Sequence, residues 1–141
     1  MLDAGTGSGI LALAGRCFGA RDVLAIDNDP RAIAIAKENA RANAIRGVRF
    51  VIGDAAKQIG RETFNLITAN LFSELLIAAL RRWKTRLRKD GYMIVSGVLR
   101  DQERELRRAL RQNGFQISVV RRRGKWVAFL CHPQRSRGLP K

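Results

Sequence analysis

Leu2-Asp3-Ala4-Gly5-Thr6-Gly7-Ser8-Gly9-Ile10-Leu11-Ala12 is the stretch that decides how this chain folds. Met1 to Asp3 read as the stub of a β-strand, Gly5 to Gly9 as a tight turn, and Ile10 to Phe18 as an Ala- and Leu-rich helix closed by Gly19. Glycines here let the backbone turn sharply and approach a ligand that a Cβ would hold away. Spacing narrows the ligand. A dinucleotide fingerprint needs its third glycine where Ile10 stands, and no Gly-Lys-Ser/Thr follows to make a phosphate-cradling loop.

Outward from this turn, strand and helix alternate, which predicts a mostly parallel sheet covered on both faces. Val23 to Ile26 form a buried strand ending at Asp27. Asp29-Pro30 then caps and opens a helix that runs to about Asn43 and buries Ile33, Ala36 and Ala40. Val48 to Ile52 form a strand stopped by Gly53-Asp54, and Phe64 to Ala69 form another, followed directly by Asn70. Leu71 to about Leu87 reads as an amphipathic helix with Leu71, Leu75, Ala78 and Ala79 inward. Tyr92 to Ser96 is a strand, Asp101 to Gln112 a helix, and Phe115 to Val120 with Trp126 to Cys131 a terminal antiparallel pair. The expectation is one doubly wound α/β domain over residues 1–132, its first strand cut short at Met1, with 133–141 a disordered basic tail.

Three strand ends carry candidate ligand groups. The glycine turn contributes Asp3, Gly5, Thr6, Gly7 and Gly9; the second strand end contributes Asp27 and Asn28; the third contributes Gly53 and Asp54. A carboxylate at the position of Asp27 can accept both hydroxyls of a ribose. Asp54 suits the amino group of adenine, or it caps a turn. Asp29 reads as a helix cap. Together these make a nucleoside-shaped surface without a basic phosphate cradle, which suits a ligand bearing a sulfonium and an amino-acid tail. His132 beside Cys131 has no spaced partner, so no metal site is expected.

Composition sets outer bounds. The chain has 141 residues, 46% of them hydrophobic, and its longest apolar run, Leu75 to Leu80, is far short of a membrane span. No basic cluster marks a secretory leader, and Cys17 and Cys131 read as small core residues, so a reduced cytoplasmic protein is expected. Charge is the unusual quantity, a formal +15, and it is lopsided. Residues 1–80 hold nine basic and eight acidic side chains, whereas 81–125 hold fifteen basic and four acidic. Arg104, Arg107, Arg108 and Arg111 recur at i, i+3, i+4 and i+7; Arg82, Arg86 and Lys89 make a similar stripe on the preceding helix, and Arg121 to Arg123 lie in the terminal hairpin. That field suits ribosomal or other RNA, or it is a solvated surface.

These segments resemble class I, Rossmann-like methyltransferases over nearly the whole chain, and more narrowly the PrmA-type family, which methylates the eleventh large-subunit ribosomal protein. The likeness rests on residues 2–12, on Ala25-Ile26-Asp27-Asn28-Asp29-Pro30, on Ala36-Lys37-Glu38-Asn39-Ala40 and on Ala69-Asn70-Leu71. It continues through Ser96-Gly97-Val98-Leu99 with Gln102, Gly114-Phe115 and Gly124-Lys125-Trp126-Val127-Ala128. The resemblance implies S-adenosyl-L-methionine as cofactor and a ribosomal protein as substrate, with lysine or N-terminal amines as acceptors. It also implies that Asn70 is both a cofactor-site residue and the catalytic one, orienting the amine. An amide oxygen can hold that amine without adding charge, so proximity and alignment carry the catalysis. Members of the family have an N-terminal recognition domain and a Thr-Gly-rich segment with a His before the first strand; neither is in this sequence. The chain is therefore expected to be a fragment with weak cofactor affinity and little activity alone. The alternatives are a non-catalytic or split remnant, and a methyltransferase-fold RNA binder or RNA methyltransferase.

Overall fold

The computed structural model describes residues 1–134. Seven strands form one mixed sheet: β1 Leu2–Ala4, β2 Val23–Asp27, β3 Val48–Ile52, β4 Phe64–Asn70, β5 Leu87–Leu99, β6 Phe115–Arg123 and β7 Trp126–Pro133, in the spatial order β3-β2-β1-β4-β5-β7-β6. The first five run parallel, and β7 enters antiparallel between β5 and β6. Helices α1 Ile10–Cys17 and α2 Pro30–Ala42 pack on the β1–β3 half, while α3 Ser73–Arg86 and α4 Glu103–Gln112 pack on β4, β5 and β6. This is the doubly wound α/β sheet with a terminal antiparallel pair that the alternation predicts. β1 is central although it has three residues, because it is paired on both sides: Ala4 lies beside Ile26 of β2 and Ala69 of β4. The strand order reverses at β1, which opens a crevice at the carboxyl ends of β1 and β4.

Several expectations are corrected. Helix α3 begins at Ser73 because the amide of Leu71 is spent on the carbonyl of Ser96 (3.2 Å) and Phe72 stays extended. The buried face is consequently Leu76, Ala79, Leu80 and Trp83, at i, i+3, i+4 and i+7, while Leu75 is 53% exposed and Ala78 faces solvent. Strand β5 starts at Leu87, which pairs with Phe64; residues 88–91 then bulge before Tyr92 pairs with Leu66. Lys89 therefore belongs to β5 and not to the helical stripe. Cys17 is exposed at the end of α1, and Cys131 alone is a core residue, where burial pushes its thiol up to about 12. Strand β7 runs to Pro133, and the amide of Gln134 donates to Gly114 (2.8 Å), two residues past the expected domain end. The remainder of the expected tail, 135–141, lies outside the described residues.

Candidate functional site

Asp3 is nearly inaccessible (1% exposed), a costly place for a carboxylate unless it is fully hydrogen-bonded. Its Oδ2 accepts from the Thr6 hydroxyl (2.6 Å) and the Ala12 amide (3.0 Å), and its Oδ1 accepts from the Thr68 hydroxyl (2.7 Å). One side chain thereby ties β1, the glycine turn, the first turn of α1 and β4 together. Burial raises its pKa, and the hydrogen bonds from Thr6, Thr68 and Ala12 act against that rise. Asp3 and Thr6, both expected as cofactor ligands, turn their side-chain oxygens into this network. They shape the turn from behind.

The three turn glycines take left-handed φ of +70°, +54° and +84° at positions 5, 7 and 9. A Cβ at Gly5 would collide with Leu71, and one at Gly9 would sit 3.0 Å from the Cβ of Ala36, so these two permit close packing. Gly7 differs. Nothing lies within 4 Å of where its Cβ would be, so its backbone borders open space that a ligand can enter.

Asp27 joins the strand ends. Its Oδ2 accepts from the amide of Gly7 (2.8 Å), its Oδ1 from the amide of Asp29 (3.0 Å), and its backbone carbonyl from the amide of Gly53 (2.8 Å). A carboxylate offers about four acceptor positions, so two remain for a pair of hydroxyl donors. Asn28, exposed, lies next to it in the chain. Asp54 follows Gly53 and opens a turn: its Oδ1 accepts from the Ala56 amide (2.7 Å) and its Oδ2 lies 3.4 Å from Lys57 Nζ. The capping reading of Asp54 is thus realised, with its exposed carboxylate pairing only at the surface. Asp29 accepts from the Arg31 amide (2.8 Å), the helix-cap role expected of it.

On the other side of β1, Asn70 ends β4 beside Ser96 and is exposed. Leu71, packed over Gly5, brings this strand end against the glycine turn. Gly97 (φ +82°) makes room for it: a Cβ there would lie 2.7 Å from Asn70 Oδ1 and 2.8 Å from the Leu71 carbonyl. Thr68, Leu71 and Gly97 escape reading as site-shaping residues from the sequence. A threonine inside the apolar run Leu66-Ile67-Thr68-Ala69 was the available signal for the first, since a buried hydroxyl needs a partner.

A large concavity lies elsewhere. Met1, Phe18, Val23, Arg49, Phe64 and Ile94 are among the residues lining a groove of about 1360 Å³ that borders the amino ends of β1–β4. Ligands of open α/β sheets bind outside the carboxyl ends of the strands, where Gly7, Asp27 and Asn70 converge. The crevice is the better candidate.

A family model described as Ribosomal protein L11 methyltransferase (PrmA) matches residues 1–134. The chain belongs to the PrmA family. It is 35% identical over 128 residues to the Ribosomal protein L11 methyltransferase of Lacticaseibacillus paracasei, covering 91% of this chain and 40% of that protein. Against the protein of the same description from Alkaliphilus oremlandii it is 32% identical, covering 92% and 42% respectively. This PrmA-family chain thus spans about two fifths of the length of the curated relatives it matches. The crystal structure of a ribosomal protein L11 methylase from Lactobacillus delbrueckii subsp. bulgaricus superposes with a TM-score of 0.91 at 34% identity, covering 95% of this chain and 69% of that one. A methyltransferase structure from Clostridium acetobutylicum, at 12% identity and a TM-score of 0.78, shares the Rossmann-like fold.

Proposed function

We propose that this chain binds S-adenosyl-L-methionine in the crevice at the carboxyl ends of β1, β2 and β4, and serves in methylating lysine or N-terminal amines of a ribosomal protein in the cytoplasm. The observation that carries the reading is the hydrogen-bonded unit in which Asp27 holds both the Gly7 and the Gly53 amides. Asp27 accepts the two ribose hydroxyls, the bare backbone at Gly7 lets the nucleoside approach, and the Asp54 carboxylate accepts from the adenine amino group. When bound, the cofactor supplies an electrophilic methyl group on a sulfonium. The crevice side chains fit that group: acceptors for hydroxyl and amino donors are present at Asp27 and Asp54. Asn70 positions the incoming amine through its amide oxygen, adding no charge to a centre that must present a free lone pair. Alignment of amine and methyl group then lowers the barrier.

Calorimetric titration of the cofactor into the chain and into Asp27→Ala tests the site. Loss of a charge-assisted hydrogen-bonding group, worth about 1.5–3 kcal/mol, predicts roughly ten- to hundredfold weaker binding. Equal affinity in the two proteins would sink the assignment. Affinity of the unaltered chain also tests the expectation of a weak site, which micromolar or tighter binding would refute. Transfer from labelled cofactor to purified ribosomal proteins tests the acceptor, with Asn70→Ala expected to lose transfer while binding cofactor within about threefold of the unaltered chain.

A further inference from the structure

We propose that the outer face of α4, continued by α3, forms a docking surface for the phosphate backbone of double-helical nucleic acid. The inference rests on charge and geometry independent of the cofactor reading. Helix α4 buries Leu106, Ala109 and Leu110 and presents Arg104, Arg108 and Arg111 to solvent. Among the described residues these three pair with no carboxylate. Arg107, expected to share that face, is instead drawn down: it pairs with Glu103 (2.8 Å) and lies over the Phe129 ring. The outward stripe therefore carries three guanidiniums over about 10 Å of helix.

The tertiary contacts extend it. Glu103 also accepts from Arg122, which locks the hairpin against the start of α4; Arg121 and Arg123, flanking it on β6, point to the other face of the sheet. The amide of Arg100 donates to the Lys125 carbonyl (3.0 Å), so the end of β5 joins the same rim. At the other end, Lys84 donates to the Gly114 carbonyl (2.8 Å), tying α3 to the end of α4, with Arg81 exposed nearby in the chain. Asp101 and Glu105 are the surface's exposed acids, too few to neutralise it.

The chemistry of the surface selects the partner. Of the fifteen basic residues between 81 and 125, twelve are arginines, whose planar forks grip phosphate through two hydrogen bonds. No large apolar side chain is exposed on α4, so a bilayer would gain nothing to bury there. Trp126 is the single half-exposed aromatic on the hairpin, which leaves single-stranded bases without a run of stacking platforms. A duplex backbone, with one charge per about 1.7 Å of axis, needs neither.

Fluorescence anisotropy with a labelled RNA duplex and a DNA duplex of equal length, each across a chloride series, tests the proposal. The triple variant Arg104→Gln, Arg108→Gln, Arg111→Gln is expected to bind at least tenfold more weakly at 0.1 M salt, with the log–log salt slope reduced by about three. Removing the same charge from α2 and the loop after it, on the β2–β3 half of the sheet, in Lys37→Gln, Arg41→Gln, Arg46→Gln, is expected to cost less than threefold. Tighter binding of either duplex identifies the source of the backbone. Equal losses in the two triple variants, or no binding of either duplex by the unaltered chain, overturns the proposal.

Discussion

At Gly97 a single methyl group is enough to disturb the crevice. Its φ of +82° strains any other residue, and the added carbon would press on both the Asn70 amide and the Leu71 backbone, which cannot retreat because Leu71 is hydrogen-bonded to Ser96. Gly97→Ala is expected to lower unfolding free energy by about 1–3 kcal/mol and to reduce methyl transfer more than cofactor affinity, read from urea melts and labelled transfer. The same scale shows what a string of letters conveys. Gly5, Gly7 and Gly9 are legible because glycine spacing reports backbone conformation directly. The division of labour among Asp3, Asp27 and Asp54 is not legible, since all three are acids at strand ends. Only the partners distinguish them: Asp3 is consumed by two threonines and an amide, Asp54 caps a turn through one oxygen and leaves the other at the surface, and Asp27 bridges two strand ends while keeping acceptor capacity.

Helix α3 displays the element scale. Its buried row ends at Trp83, fully inaccessible, whose indole nitrogen donates to the Ala55 carbonyl (3.1 Å) and so pins the segment that follows Asp54. Trp83→Ala is expected to destabilise by about 3–5 kcal/mol through lost burial and a cavity. Trp83→Phe keeps most of the volume but orphans the Ala55 carbonyl, for about 1–3 kcal/mol, measured by the same melts. Helical periodicity in the sequence places the row one residue early because it takes Leu71 as the first turn, whereas the neighbouring strand claims that amide. Helix α4 supplies a pH dependence. Hydrogen bonds from Arg122, then Arg107, hold the Glu103 carboxyl at about 2, below its ordinary value of 4.5. The folded state thus binds the proton less readily than the unfolded chain, so this contribution is present above pH 4.5 and is lost as pH falls toward 2. Stability measured over that window is expected to decline less steeply in Glu103→Gln than in the unaltered chain.

Across the whole molecule, the +15 charge acts against compaction. Raising chloride from 0.1 to 1 M shortens the screening length from about 10 Å to about 3 Å. The melting temperature is therefore expected to rise by roughly 2–5 °C in differential scanning calorimetry, on the scale of about 1 kcal/mol. A falling melting temperature would mean that attractive pairs such as Glu103 with Arg107 and Arg122 outweigh repulsion. The amino-acid sequence by itself determined the alternation of strands and helices, the glycine turn, the cap at Asp29 and the lopsided charge, because each depends on neighbours within a few positions. Tertiary structure alone decided that β1 pairs with β2 and β4, that Asp27 meets Gly7 and Gly53, and that Arg107 faces inward while Arg104, Arg108 and Arg111 do not. Those outcomes turn on which buried groups compete for the same partners across 20 or more residues, and that competition is settled only when the sheet closes.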